Sequence, residues 1–102
     1  MPSLDDLKKL AESSPQDPFP RYGLAMELKR QGRQAEAVAA FQALLERFPA
    51  YVPGHQQLGL ALAAAGKLAE AREAYLVGID AAEKSGNRHA ADEMRSALNM
   101  LG

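Results

Sequence analysis

The chain of 102 residues has no cysteine, no tryptophan and no excess of charge of one sign. Without cysteine it can form neither a disulfide framework nor a thiolate metal site. Its 12 Lys and Arg residues against 13 Asp and Glu residues give a formal net charge of −1. This balance argues against binding to nucleic acid or to a membrane surface, both of which require a local excess of basic residues.

Long apolar runs are also absent. The longest nearly apolar stretch, residues 58–65, is far shorter than the ~20 residues that a membrane-spanning helix needs. Residues 1–9 lack the basic start and the continuous apolar run of a secretory signal, so we expect a cytoplasmic protein. A chain of this length forms one domain and buries roughly two-thirds of the surface that its unfolded form exposes, which leaves little room for a deep substrate cavity.

An internal repeat is present instead. A shift of 34 residues places residues 24–41 on residues 58–75 with seven identities, and Phe41 is matched by Tyr75. The identical pairs are Leu24/Leu58, Leu28/Leu62, Gly32/Gly66, Ala35/Ala69, Glu36/Glu70, Ala37/Ala71 and Ala40/Ala74. Apolar residues recur every three or four positions on either side of each glycine, which predicts two helices joined by a turn. A glycine at that place is typical of a helix end with a left-handed backbone.

The whole chain is predicted to be helical, with Ser3 and Asp17 as N-caps of two of the helices. The six helices are expected near residues 4–13, 18–31, 34–47, 53–65, 68–84 and 88–101. Residues 97–102 match residues 61–66 at a shift of 36 rather than 34. We therefore expect the second repeat to end in a longer turn, at residues 84–87.

These spacings closely resemble the tetratricopeptide repeat (TPR) family, whose 34-residue helix–turn–helix unit carries a leucine, a small residue, a turn glycine, an alanine, an aromatic residue and a late proline. The matching residues are Leu24, Ala25, Gly32, Ala37, Phe41 and Pro49 in the first unit and Leu58, Gly59, Gly66, Ala71 and Tyr75 in the second. Two departures are present: Arg21 and His55 replace an early aromatic residue, and Glu83 replaces the second proline.

The resemblance implies an all-α fold, a right-handed α-solenoid of antiparallel helix pairs within a single domain. Its parts are expected to be an N-terminal half-repeat helix over residues 1–16, repeats over residues 17–50 and 51–84, and a C-terminal capping helix over residues 85–102.

Residues suited to catalysis or metal binding are few. His55 and His89 lie 34 residues apart, and a metal site there would need Asp92 and Glu93 as further ligands. We favour the interpretation that both histidines are partly exposed residues at helix starts. The glycines are isolated and form no phosphate-binding motif. We therefore predict no enzyme activity, no metal and no cofactor.

The basic segment of Lys29, Arg30 and Arg33 could bind an acidic peptide or a phosphate group. We favour a solvated helix end, where basic residues also stabilise the negative end of the helix dipole.

In this family the first helix of each pair lines a concave surface that holds a peptide. The resemblance therefore implies a protein-binding surface, which we call the inner face. Its residues are Phe19, Tyr22, Met26 and Lys29 from the first unit, Gln56, Gln57, Leu60 and Ala64 from the second, and His89, Asp92, Glu93 and Ser96 from the capping helix. The Tyr22, Met26 and Leu60 strip suits an amphipathic helix or an extended apolar peptide; alternatively, these residues bury one another or the capping helix.

Some members of the family clamp the terminal carboxylate of chaperone tails with lysines, an arginine and asparagines. The corresponding positions here hold Tyr22, Met26, Gln57, His89 and Glu93, so the positive charges are missing and a chaperone tail is not expected as the partner.

A second hypothesis is a self-associating structural unit. The helices at the two ends of a truncated stack can expose apolar residues that pair across a two-fold axis. Such residues would be Leu4, Leu7 and Leu10 at one end, or Met94, Leu98 and Leu101 at the other.

Overall fold

A computed structural model describes residues 3–102 as six α-helices, with no strand in that range. The helices are α1 (Leu4–Ser13), α2 (Pro18–Arg30), α3 (Gln34–Arg47), α4 (Val52–Ala64), α5 (Leu68–Lys84) and α6 (Arg88–Met100). Each helix packs against the next along the chain, and α4 also contacts α6. The all-α fold is confirmed, and every predicted helix boundary lies within one residue of the observed one.

Two helix starts carry the predicted caps. Ser3 Oγ accepts a hydrogen bond from the Asp6 amide, and the Asp6 carboxylate accepts one from the Ser3 amide, both at 3.2 Å. Asp17 Oδ1 accepts from the Phe19 amide at 3.0 Å, directly before Pro18 begins α2. Both side chains use amide groups that have no partner within the helix, which defines where α1 and α2 begin.

Three helices end at a glycine with a left-handed backbone. Gly32, Gly66 and Gly86 have φ angles of 76°, 77° and 76°. After each of them the next amide donates to a carbonyl five residues earlier: Arg33 to Leu28 at 3.0 Å, Lys67 to Leu62 at 2.9 Å and Asn87 to Ala82 at 2.8 Å. This pattern satisfies carbonyl groups at the helix end and requires the positive φ that glycine adopts without strain.

The prediction of a longer second turn was wrong. The connection between α5 and α6 contains only residues 85–87, and the additional residues extend α5 to 17 residues, against 14 in α3. Pro49 follows α3 and prevents the helix from continuing, whereas Glu83 occupies the corresponding position and is compatible with a helix. Consequently α5 continues until Gly86 ends it.

Most of the interior consists of two clusters of buried side chains, while Leu7 and Ala11 on α1 are buried outside them. The first lies among α2, α3, α4 and α5 and contains Phe41, Leu44 and Leu62. The second lies among α4, α5 and α6 and contains Tyr75 and Met94. Helix α4 therefore contributes to both clusters.

Three apolar residues of α6 and its C-terminal end face the interior, whereas Met100 is 87% exposed. Met94 is fully buried, and Leu98 and Leu101 pack against the second cluster. The expectation that these three residues form an exposed apolar face was therefore wrong, because they lie in or pack against the second cluster. At the other end Leu7 is buried, while Leu10 is 48% exposed.

Candidate functional site

The inner face brings together side chains from α2, α4 and α6. Lys29 Nζ on α2 donates a hydrogen bond to Gln57 Oε1 on α4 at 2.7 Å. Gln56 Nε2 on α4 donates to Glu93 Oε2 on α6 at 3.4 Å. Four residues that the sequence placed on one surface therefore lie next to one another across three helices.

Tyr22 is held in place by aromatic neighbours. Its ring meets that of Tyr51 edge-on at a centroid distance of 5.4 Å and lies 6.2 Å from that of Phe41. Burial raises the pKa of the Tyr22 phenol above its ordinary value, and the nearby Gln57 side chain has a smaller, opposite effect. The half-buried ring is thus fixed by packing against Tyr51 and Phe41.

The predicted apolar strip is divided between the core and the solvent. Met26 is half-buried and packs, like Tyr22, against the first cluster. Leu60 is 44% exposed, and Phe19 at the start of α2 is 68% exposed. Ala64, at the end of α4, is exposed as well. Of the three residues of the strip, Leu60 is exposed while Tyr22 and Met26 are half-buried, and Phe19 is a further exposed apolar residue at the start of α2.

The part of the inner face on α6 is polar and exposed. His89 Nε2 lies 2.7 Å from Glu93 Oε1, and the His89 side chain is 88% exposed. Asp92 pairs with Arg95 at 3.1 Å, and Ser96 is exposed. Because Glu93 also accepts the hydrogen bond from Gln56, it links α6 to α4.

His55 is not the partly exposed helix-start residue that the sequence suggested. It is only 4% exposed, and its Nε2 donates to the carbonyl oxygen of Pro49 at 2.7 Å. The imidazole fits because Gly78 lies against it: a Cβ atom at Gly78 would be 2.7 Å from His55 Cβ. No group of three or more His, Asp and Glu side chains suited to a metal ion occurs between residues 3 and 102.

The basic segment at the end of α2 is already paired within the chain. Arg30 pairs with Glu27, and this bonding lowers the pKa of the Glu27 carboxyl to about 2. Arg33 donates two hydrogen bonds to Glu36, both at 2.9 Å. Lys29 donates to the neutral amide of Gln57, so two of the three basic groups are paired with carboxylates and Lys29 keeps its charge.

Sequence reasoning missed a groove on the opposite side of the helices. A cavity of about 630 Å³ lies between the second helices α3 and α5, with α4 beneath it. Its buried floor includes Leu58, Leu62 and Ala74. Its rim carries the exposed carboxylates Glu46, Glu70 and Glu73, together with Leu45 and Val77. We call this cavity the outer groove.

On α5 the adjacent apolar residues Leu76 and Val77 are both about half exposed, but only Val77 lines the outer groove, so the sequence pattern does not indicate the groove. The width of the groove depends on how far apart α3 and α5 pack, which periodicity does not report.

No helix among residues 3–102 combines the length and the apolar content that crossing a membrane would take.

Comparison with known proteins identifies relatives along nearly the whole chain, although no family model matches it. A TPR repeat-containing protein from Pseudomonas aeruginosa is 32% identical over 98 residues, which cover 96% of this chain and 93% of that protein. The solution structure of a tetratricopeptide repeat domain protein from Salinibacter ruber has a TM-score of 0.80 at 31% identity and covers 85% of this chain and 88% of its own. A protein structure from Bordetella parapertussis, with a TM-score of 0.82 at 23% identity, covers 99% of this chain and 88% of its own, and supports the fold alone.

Proposed function

Since this chain belongs to the tetratricopeptide repeat family, whose members are generally non-enzymatic modules of protein–protein interaction, we propose that it is an adaptor that binds a peptide or helix of another protein on its inner face. The observation that carries the proposal is the pair of hydrogen bonds from Lys29 to Gln57 and from Gln56 to Glu93. These bonds join α2, α4 and α6 into one continuous polar surface on which a single partner segment can lie.

The exposed apolar residues supply the driving force for binding. Phe19 and Leu60 are exposed to water in the free protein, and covering such side chains contributes most of the affinity in protein interfaces. Tyr22 adds a ring that is already fixed, so little side-chain entropy is lost when a partner covers it. The partner best suited to this surface is an amphipathic helix or an extended apolar peptide with polar groups along one edge.

The size of the surface favours transient binding. Helices of 13 residues, such as α2, α4 and α6, are about 20 Å long at ~1.5 Å per residue. Three such helices offer less than the ~800 Å² per partner of a standard interface. We therefore infer micromolar affinity for the partner segment.

Substitution of one exposed apolar residue tests this proposal. Leu60→Ser should weaken capture of partners from an extract of the native cells by about tenfold, since the residue contributes apolar contact area. Leu10→Ser is the matched control, because Leu10 is 48% exposed but lies on α1, away from the inner face. Captured proteins are quantified by mass spectrometry. Equal capture by both variants would place the binding surface elsewhere.

A further inference from the structure

We propose that the outer groove is a second docking surface, which binds a cationic amphipathic helix whose apolar side chains are flanked by Lys and Arg. This surface is formed by the second helices α3 and α5, whereas the inner face is formed by α2, α4 and α6. The proposal therefore does not depend on the function of the inner face.

The dimensions of the outer groove suit the side chains of a helix. Its cavity of about 630 Å³ continues, through the shared residues Gln42 and Glu70, into a second cavity of about 470 Å³ that Val38 and Ala39 line. Together the two cavities follow the chain from Lys67 to Val77, which corresponds to about 15 Å along a helix. A partner helix of about three turns can place its apolar side chains along this length.

The rim of the outer groove carries negative charge that the chain does not neutralise. Within residues 3–102, Glu46, Glu70 and Glu73 form no ion pair and no side-chain hydrogen bond. No Lys or Arg lines the first cavity, and Lys67 is the only one that lines the second. Elsewhere on this molecule many exposed acids do pair with a basic residue, as Glu36 does with Arg33.

The two arginines that adjoin the rim in sequence are bonded elsewhere. Arg47, next to Glu46, donates to the carbonyl oxygen of Pro15 at 2.8 Å. Arg72, which precedes Glu73, donates to the carbonyl oxygen of Gly102 at 3.0 Å. Both guanidinium groups therefore donate to backbone carbonyl oxygens rather than to the rim carboxylates. The carboxylates remain available to basic groups of a partner.

The apolar floor and the unpaired carboxylates of the rim together select the partner by charge as well as by shape. An apolar floor alone would accept any amphipathic helix, whereas unpaired carboxylates along its rim attract a cationic helix and repel an anionic one. Charge complementarity of this kind also accelerates association and makes the affinity dependent on salt.

A titration with two synthetic peptides tests the proposal. Both peptides are helices of 14 residues with leucines at the same positions, and the flanking residues are Lys in one and Glu in the other. We expect saturable changes in the NMR methyl signals of Leu45, Leu62 and Val77 with the Lys peptide at low salt, and none with the Glu peptide. Equal binding of both peptides, no saturation, or changes confined to Met26 and Leu60 on the inner face would each overturn the proposal.

A charge-reversal pair then locates the interaction. Glu73→Lys should weaken binding of the Lys peptide at least about fivefold, because it replaces a favourable charge pair with a repulsive one. Glu12→Lys changes the net charge equally at an exposed residue of α1 and should alter the affinity by less than about twofold. Equal weakening by both variants would show non-specific attraction and overturn the proposal.

Sedimentation of the unmodified chain tests the alternative occupant. A dimer that Glu73→Lys dissociates would identify a second copy as the occupant of the outer groove and overturn the proposal.

Continued binding of the Lys peptide by Leu60→Ser would support the proposal and separate its outcome from that of the inner face.

Discussion

At the scale of single residues, the contact between Gly59 and Tyr75 determines how closely α4 and α5 approach. The Tyr75 ring is almost completely buried and lies directly on the backbone of α4 at Gly59. In the first repeat the corresponding position is Ala25, which is fully buried in the cluster that contains Phe41. The second repeat therefore packs its aromatic residue against a bare backbone, whereas the first accommodates a methyl group at that position.

Gly59→Ala should therefore destabilise the protein. The added Cβ would lie 2.6 Å from Cζ of the Tyr75 ring, a distance that forces the ring or α4 to move. We expect a loss of about 1–3 kcal/mol in the free energy of unfolding, the range typical of overpacked interiors, measured by urea denaturation.

Gly23→Ala is the matched control, since it also lies within a helix. Its Cβ would be 3.4 Å from Leu7 Cδ2, close to ordinary contact, and alanine favours the helix over glycine by up to about 1 kcal/mol. If both variants had the same stability, the close contact at Tyr75 would not limit the packing of α4.

At the scale of helices and turns, the sequence predicts a helix boundary correctly where the residues that determine it lie next to that boundary. Ser3 and Asp17 cap neighbouring amides, and the three turn glycines act on the helix that each follows, so the boundaries could be predicted to within one residue. The length of the turn after α5 was not predicted correctly, because a shift in the repeat spacing does not reveal whether the extra residues enter a helix or a turn.

The turn at Gly86 makes the junction between α5 and α6 as short as the turns within each pair, and it depends on the backbone rather than on side-chain space. Nothing lies within 4 Å of a Cβ atom placed on Gly86, but its φ of 76° is costly for a residue with a side chain. Gly86→Ala should lower the free energy of unfolding by about 1–2 kcal/mol, measured by urea denaturation. Gly86→Asn should lower the free energy of unfolding by less than Gly86→Ala, because asparagine adopts a positive φ more readily than alanine. An equal loss in the two variants would contradict the backbone explanation.

At the scale of the whole molecule, the candidate surfaces depend on contacts between distant parts of the chain. The sequence placed Lys29 and Gln57 on the same face, and the repeat spacing explains why they meet. It did not predict the burial of His55, which requires Gly78 on the next helix. Nor did it predict the outer groove, which exists only because α3 and α5 pack apart above α4. Such features arise from the separation of packed helices, and amphipathic periodicity does not encode that separation.

The division of the interior into two clusters predicts that the two ends of the molecule lose structure separately. In repeat proteins each unit contacts only its neighbours, so damage to one interface opens that region first. Met94 and Leu44 are both fully buried, Met94 in the second cluster and Leu44 in the first. Met94→Ala and Leu44→Ala should each lower the free energy of unfolding by about 2–5 kcal/mol, which is a large share of the stability of a small domain.

The location of the opened region should differ between these two variants. In Met94→Ala, amide hydrogen exchange measured by NMR should accelerate most in α6 and in the second half of α5, which surround the second cluster. In Leu44→Ala it should accelerate most in α2 and α3, which enclose much of the first. Uniform acceleration across all six helices in both variants would instead indicate one cooperative unit. In that case α4, which contributes to both clusters, couples the two ends of the molecule into a single folding unit.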